Sequence, residues 1–264
     1  MMMWKHYILG SVLASVLAAG AFAADGSNIR TQMDMGDYAA AYAQADSGLT
    51  ADGHALAAEI LLSEIMLGRA EKNKKQAKRA RKRAEAALEL DPAHQNARLQ
   101  YAIADGFVTR ETGDVSAWMK KLPQRTLGIV DSYRADFPDD ARGDALLGAW
   151  HLAIARKAGN KNAEKWFGAN IMDGRSLFLA ARAQQPDDIV IGVNYAFSLL
   201  ALDKDEFPDT EEARQILSDM AVLEPRNHME TVLQIYAKEA LTRMDDRDVV
   251  EDYVGLFLDG KTPE

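Results

Sequence analysis

The sequence predicts an all-α fold, and two features of its pattern support that prediction. Beyond residue 24, alanine and leucine recur at intervals of three and four residues, as in the stretches 55–65 and 77–88. That spacing places apolar side chains on one face of a helix. Glycine and proline fall between these stretches rather than within them, as they do at helix ends. We therefore expect nine or ten helices joined by short loops.

Composition and length exclude several classes of protein. The chain has 264 residues, of which 48% are hydrophobic and 27% are charged, which is enough for a packed core. It contains no cysteine, which excludes disulfides, thiolate metal sites, cysteine nucleophiles and cysteine-linked lipid. A formal net charge of −9 argues against a nucleic-acid-binding protein, because phosphate attracts positive charge.

The first 23 residues have the pattern of a signal peptide. Lys5 and His6 precede an apolar stretch that ends in Ala21-Phe22-Ala23, the small-x-small pattern of a cleavage site. We expect cleavage after Ala23 and a periplasmic or secreted protein, whose residues 24–264 form one helical repeat domain. An uncleaved anchor helix is the alternative, although the apolar stretch is shorter than the roughly 20 residues of a bilayer span. No second such stretch follows, so an integral membrane protein is not expected.

Four prolines mark an internal repeat. Pro92, Pro138, Pro186 and Pro225 lie 46, 48 and 39 residues apart. Twelve, eight and five residues before each proline stand small or apolar residues: Ala80, Ala84 and Ala87; Thr126, Val130 and Tyr133; Gly174, Phe178 and Ala181; Ala213, Leu217 and Met220. Small residues at these positions would allow the two helices of a hairpin to pack closely.

This repeat resembles the tetratricopeptide repeat, whose second helix carries a similar pattern and ends in a proline. The resemblance covers most of residues 30–258 but lacks the tryptophan and tyrosine of the family's first helix. The spacing also exceeds the family period of about 34 residues, which predicts longer helices or longer hairpin loops, for example 106–114, 158–165 and 203–208. The resemblance implies antiparallel helix hairpins stacked as an α-solenoid.

The resemblance further implies a concave groove lined by the first helix of each hairpin. Counting from the prolines gives the candidate groove residues Asn96, Leu99, Ile103, Arg142, Val193, Phe197 and Tyr236. An open groove of this character would suit a peptide with hydrophobic anchors, or a small hydrophobic molecule. Alternatively, neighbouring helices close over this face and its residues form core.

A second candidate site is a basic helix. Residues 69–83 contain nine basic residues and one acidic residue. This stretch is either a solvated outer face or a docking surface for an anionic partner, such as an envelope surface or an acidic protein. It could also dock against the acidic remainder of the chain or of a second copy. The candidate docking residues are Lys74, Lys75, Lys78, Arg79, Lys82 and Arg83.

Catalytic and metal-binding motifs are not recognisable in the sequence. The five histidines show none of the spacings typical of metal sites, and no cofactor motif occurs. We expect His151, beside Trp150, to be a core residue. The carboxylate pairs 139–140, 187–188 and 245–246 stand at predicted helix starts. Their negative charge interacts favourably there with the positive end of the helix dipole. An enzyme is therefore not expected.

The sequence thus favours a non-enzymatic exported scaffold that binds a protein or peptide partner in a concave groove. The alternative hypothesis is a periplasmic accessory protein that binds a small hydrophobic solute for a transporter. Both rest on resemblance of fold, and fold alone does not determine function.

Overall fold

The chain folds into helices throughout the region that the structure describes. A computed structural model describes residues 26–263, apart from the side chains of residues 114 and 115. The predicted signal peptide and its cleavage after Ala23 lie outside these residues. Within them there is no β-strand, so the predicted all-α class is confirmed. The fourteen helices are α1 (26–34), α2 (Tyr38–Ser47), α3 (Ala51–Met66), α4 (Asn73–Leu90), α5 (Gln95–Arg110), α6 (Asp114–Met119), α7 (Leu122–Asp136), α8 (Ala141–Ala158), α9 (Asn160–Phe167), α10 (Ile171–Gln184), α11 (Ile189–Leu200), α12 (Glu211–Val222), α13 (His228–Leu241) and α14 (Arg247–Leu258).

The predicted count of nine or ten helices was too low, partly because short helices lie in the connections. α6 has six residues and α9 has eight. Both lie within or next to the stretches 106–114 and 158–165, where long hairpin loops were expected. Helices this short show too few turns to produce a readable apolar period.

Acidic side chains begin several helices, as the sequence predicted. The carboxylates of Asp140, Asp188 and Asp246 each accept a hydrogen bond from a backbone N–H of the helix that follows. These N-caps satisfy donors that have no partner within the helix. The carboxylate pairs at 139–140, 187–188 and 245–246 therefore include the residues that start α8, α11 and α14.

Small residues allow neighbouring helices to pack closely in antiparallel pairs. Ala80, Ala84 and Ala87 of α4 are all fully buried, and α4 packs against α3. A Cβ atom at Gly148 of α8 would lie 2.8 Å from the Phe178 ring of α10. Such contacts explain the small repeat positions, because a larger side chain would force the helices apart. Whether the pairs are tetratricopeptide-like stays a prediction.

Five helices contact one another in succession, and we name them the inner helices. They are α3, α5, α8, α11 and α13. The last of them also reaches back to the first part of the chain. The Tyr236 hydroxyl of α13 lies 3.5 Å from the Leu67 carbonyl oxygen, and the His228 ring lies 2.8 Å from the Arg69 guanidinium. α13 therefore contacts the segment that follows α3.

α14 lies across the carboxyl ends of the inner helices. At its start, the Arg247 guanidinium donates to the Leu202 carbonyl just after α11, at 2.8 Å. At its end, Asp259 forms an ion pair with Arg156 of α8 at 3.2 Å, and the Leu258 carbonyl accepts a hydrogen bond from Arg110 of α5. α14 therefore spans from the fourth inner helix to the second and third.

A buried carboxylate joins three helices at the centre of the first half. Asp105 of α5 is fully buried and accepts hydrogen bonds from Thr126 at 2.8 Å and from Arg125, both on α7. Arg81 of α4 lies 3.4 Å away. Several donors are needed here, because a buried charge is costly unless it is paired and hydrogen-bonded.

Among residues 26–263, no helix is both long and apolar enough to cross a membrane.

Candidate functional site

Three of the predicted groove residues are core residues. Val193 and Phe197 are 0% exposed and Leu99 is 2% exposed. The Phe197 ring lies 5.1 Å from the ring of Phe257 and 6.4 Å from that of Tyr253, both on α14. The prediction that these three residues line an open groove is therefore corrected. α14 covers Phe197, and a contact between residues 60 positions apart, such as Phe197 and Phe257, leaves no local pattern in the sequence.

The other four predicted groove residues retain contact with solvent. Asn96, Ile103 and Tyr236 are half-buried and Arg142 is exposed. Tyr236 packs its ring 6.0 Å from Phe257, so it belongs to the same end of the inner face as α14. Asn96 and Arg142 instead lie at the amino ends of α5 and α8, which α14 does not reach.

Half-exposed side chains at the amino ends of the inner helices form a candidate binding site. Val190 and Met229 are the second residues of α11 and α13, as Asn96 and Arg142 are of α5 and α8. Glu59, midway along α3, joins this set through Asn96, whose side-chain amide donates a hydrogen bond of 2.9 Å to the Glu59 carboxylate. We name these five residues the inner mouth. It combines apolar side chains, one donor cation and one acceptor carboxylate, drawn from five helices.

Arg142 is held in place by a carboxylate. Its Nε and one terminal nitrogen donate to the two oxygens of Asp140 at 2.8 and 2.6 Å, and these hydrogen bonds raise the pKa of Arg142. Burial alone would raise the pKa of Asp140, but hydrogen bonds from Arg142 and Tyr133 lower it to about 2. Asp140 therefore stays ionised at neutral pH, and Arg142 presents its remaining donors from a fixed position.

Glu59 carries the opposite charge at the inner mouth. Its side chain is 25% exposed and lies 3.5 Å from the guanidinium of Arg30. It also contributes to raising the pKa of Arg142, so the two charges act on each other across the inner mouth. This arrangement offers both hydrogen-bond donors and acceptors, as an extended backbone requires.

The predicted basic docking residues lie on α4, mostly on its exposed side. Lys74, Lys75, Lys78 and Lys82 are exposed. No acidic group of the described chain forms an ion pair with any of the four. Arg79 and Arg83 differ from them, because they contact other helices: Arg79 donates to the Tyr42 hydroxyl at 3.1 Å and Arg83 pairs with Asp46. The lysines are thus the members available to a partner.

The positive charges of the α4 lysines reduce the stability of that helix. Lys74 and Lys75 lie in the first turn, where no side chain caps the helix and the positive end of the helix dipole repels cations. Lys74 and Lys78, like Lys78 and Lys82, are four residues apart, at which distance like charges destabilise a helix. An anionic partner would relieve this repulsion.

Two surface depressions do not include the five residues of the inner mouth. One, of about 360 Å³, reaches Asp140, the partner of Arg142, and is lined by Asp131, Arg134, Ala135, Phe137, Pro138, Asp140 and Asp144. The other, of about 410 Å³, is lined by five acidic residues and Lys204. Neither includes a predicted groove residue. Over residues 26–263, no three histidine, aspartate or glutamate side chains are grouped so as to hold a metal ion.

Sequence reasoning missed the exposed aromatic residues of the short helices. Trp118 at the end of α6 is 59% exposed and Trp166 of α9 is 57% exposed. Lys120 follows Trp118 by two residues, and Lys165 directly precedes Trp166. A large aromatic residue close to lysine, just beyond the stretches 106–114 and 158–165, was the available signal.

Comparison with protein-family models gives no match for this chain. Comparison with curated proteins gives no significant match either. The functional assignment therefore rests on the residues and their geometry.

Proposed function

We propose that this protein is a non-enzymatic, exported, tetratricopeptide-like scaffold that binds a segment of a protein partner. The observation that carries the proposal is the inner mouth: four of its residues stand at the amino ends of inner helices, and Glu59 accepts a hydrogen bond from Asn96 and acts on the charge of Arg142. This role revises the location that the sequence predicted, from the middle of the inner helices to their amino ends.

The composition of the inner mouth suits a peptide. Val190 and Met229 offer apolar contact, and a methionine adapts to side chains of different shape. Arg142 and Glu59 offer a donor and an acceptor for backbone or side-chain groups of the segment. A short segment with one or two apolar anchors would use both kinds of contact.

The proposal is non-enzymatic because the titratable groups at the inner mouth have structural partners. Asp140 is bound by Arg142 and Tyr133, and Glu59 is bound by Asn96. A general base would need a free position within hydrogen-bond reach of its substrate. These carboxylates instead fix the side chains around them.

The basic face of α4 would add an electrostatic contact to the same partner. Lys78 and Lys82 project from α4, which packs against both α3 and α5, the helices that supply Glu59 and Asn96. An acidic stretch beside the apolar anchor would be attracted to these lysines. Such attraction raises the rate of association more than the final affinity.

Selection of peptides from a random library, followed by measurement of their affinity, tests the proposal. We expect selected peptides to bind with micromolar affinity, roughly −8 kcal/mol, and Val190→Asp to weaken binding at least tenfold. Val249→Asp is the matched control, since Val249 is an exposed valine on α14. Equal binding by both variants would place the site elsewhere.

Native mass spectrometry of the protein isolated from its own host distinguishes the alternative hypothesis. A bound polypeptide that is lost in Val190→Asp supports the scaffold. An adduct of small-molecule mass that is lost in the same variant would instead support solute binding.

A further inference from the structure

The segments that connect the helices of each pair lie at one end of the molecule. Arg110 at the end of α5 and Arg156 near the end of α8 both contact residues 258–259, after which Gly260 accepts a hydrogen bond from Asn73 at the start of α4. The segments that follow α3, α5 and α8 therefore lie at the same end of the molecule. We name this end the connection face. The inner mouth lies at the opposite end of the inner helices.

The first part of the connection face is basic and aromatic. Trp118 and Trp166 are more than half exposed, and so are Met119 and Met172, at 71% and 65%. Exposed lysines surround them, and in the part of the chain that is described no ion pair holds Lys72, Lys120, Lys121 or Lys161. We name this region the basic lobe, with Lys72, Lys74, Lys75, Trp118, Met119, Lys120, Lys121, Lys161, Lys165, Trp166 and Met172 as its members.

Lys121 adopts a backbone conformation that disfavours lysine. Its φ is +51°, in the left-handed region, and over residues 26–263 no other non-glycine residue has a positive φ. Glycine would fit this position without steric cost. A lysine here places a charge on the connection face and strains the backbone. Such strain is common at functional sites.

The second part of the connection face is acidic. Asp203 and Asp205 follow α11, and Asp248, Glu251 and Asp252 lie on α14; all five line one depression of about 410 Å³. Lys204 is their only basic neighbour in that lining, and it pairs with Asp248 at 2.6 Å. We name these five residues the acidic lobe. It adjoins the basic lobe, because the backbone N–H of Asn160 donates to Glu206 at 2.8 Å.

We propose that the connection face binds a second copy of this chain, with the basic lobe of each copy on the acidic lobe of the other. A two-fold axis that lies in the interface and runs between the two lobes turns the second copy over. The basic lobe of each copy then contacts the acidic lobe of the other. This is an isologous interface, in which one patch is complementary to itself. Trp118, Met119 and Trp166 would be buried between the copies, and aromatic residues and methionine are enriched in interfaces.

The two lobes together favour a second copy over a membrane surface. Lysine and tryptophan alone would suit an anionic bilayer. The acidic lobe shares the same face, however, and would be repelled by the same lipids. A second copy neutralises both lobes at once, including the clustered carboxylates of Asp248, Glu251 and Asp252. The proposal does not depend on the proposed function, because the inner mouth lies at the other end of the inner helices.

Sedimentation equilibrium of protein purified from the full-length chain tests this proposal. We expect a dimer at low salt (about 0.05 M), and at least a tenfold weaker association at about 0.5 M, where surface charges are screened. Lys120→Glu with Lys161→Glu should give a monomer, and so should Asp205→Lys with Asp252→Lys. A mixture of these two double variants should form a heterodimer, since one carries two negative lobes and the other two positive lobes.

Lys78→Glu with Lys82→Glu is the matched control. It changes the net charge as much as Lys120→Glu with Lys161→Glu, but on the outer side of α4, and it should leave the dimer intact. Circular dichroism would show whether each variant remains helical. A monomeric wild-type protein at low salt would overturn the proposal, and so would variants that remain monomeric when mixed. Salt-sensitive binding of a monomer to phosphatidylglycerol vesicles, lost with Lys120→Glu and Lys161→Glu, would assign the basic lobe to a membrane instead.

Discussion

The side-chain amide of Asn73 donates a hydrogen bond of 2.9 Å to the carbonyl oxygen of Gly260, 187 residues further along the chain. Arg110 binds the Leu258 carbonyl nearby. Together they cap the carboxyl end of α14, whose last carbonyls have no partner within the helix. The cap fixes α14 across the inner helices, where Phe257 packs against Phe197. α14 therefore covers the inner face at this end.

The first prediction concerns Gly260. Its φ is +69°, and an added Cβ would lie 2.7 Å from Arg110 and 2.8 Å from Asn73. We expect Gly260→Ala to lower the free energy of unfolding by about 2–3 kcal/mol, from backbone strain and displacement of the cap. Gly168 has the same φ with open space around it, so Gly168→Ala should cost only about 1 kcal/mol. Urea unfolding of both variants measures the difference, and equal losses would show that the cap contributes nothing.

The second prediction concerns Phe197. Because its side chain is fully buried against α14, we expect Phe197→Ala to destabilise the protein by about 3–5 kcal/mol. Ile235→Ala is the control, since Ile235 is 52% exposed and should change stability by less than about 1 kcal/mol. Thermal unfolding compares the two. If Phe197→Ala were no more destabilising than the control, Phe197 would be a groove residue after all.

The third prediction concerns pH. His151 is buried as expected, and burial lowers its pKa below the usual value of 6.5. Its Nδ1 accepts a hydrogen bond from the Asn170 backbone N–H at 3.1 Å, which requires the neutral ring. The unfolded chain binds the proton more readily, so the stabilisation is fully present above pH 6.5 and is lost progressively as the pH falls from 6.5 through the lowered pKa of the folded state.

Urea unfolding at a series of pH values measures this effect. The free energy of unfolding should fall as the pH decreases from about 7.5 to 5.5, and His151→Leu should reduce the slope by at most about 1.4 kcal/mol per pH unit. An unchanged slope would show that His151 does not titrate differently in the two states.

The fourth prediction concerns the first turn of α4. Lys75→Glu should raise the free energy of unfolding by about 0.3–1 kcal/mol, because it replaces a cation by an anion at the positive end of the helix dipole. Lys238→Glu, in the last turn of α13, should have the opposite sign. Thermal unfolding at low salt measures both. A destabilised Lys75→Glu would mean that this lysine already has a structural role.

Local patterns in the sequence predicted the local structure well. The alanines of residues 77–87 predicted the buried face of α4, and Asp140 and Asp188 predicted helix starts, because each pattern acts within a few residues. The contact between Asn73 and Gly260 could not be predicted in this way, since it depends on the packing of every helix between them. The same contact fixes α14 over Phe197, which is why Phe197 is a core residue rather than a groove residue.

Native mass spectrometry of protein isolated gently from its own host shows whether a polypeptide binds at the inner mouth. We expect a bound polypeptide on the wild-type protein, lost in Val190→Asp and retained in Val249→Asp. A polypeptide that remains bound to Val190→Asp, or a wild-type protein that carries only a small-molecule adduct, would contradict this expectation.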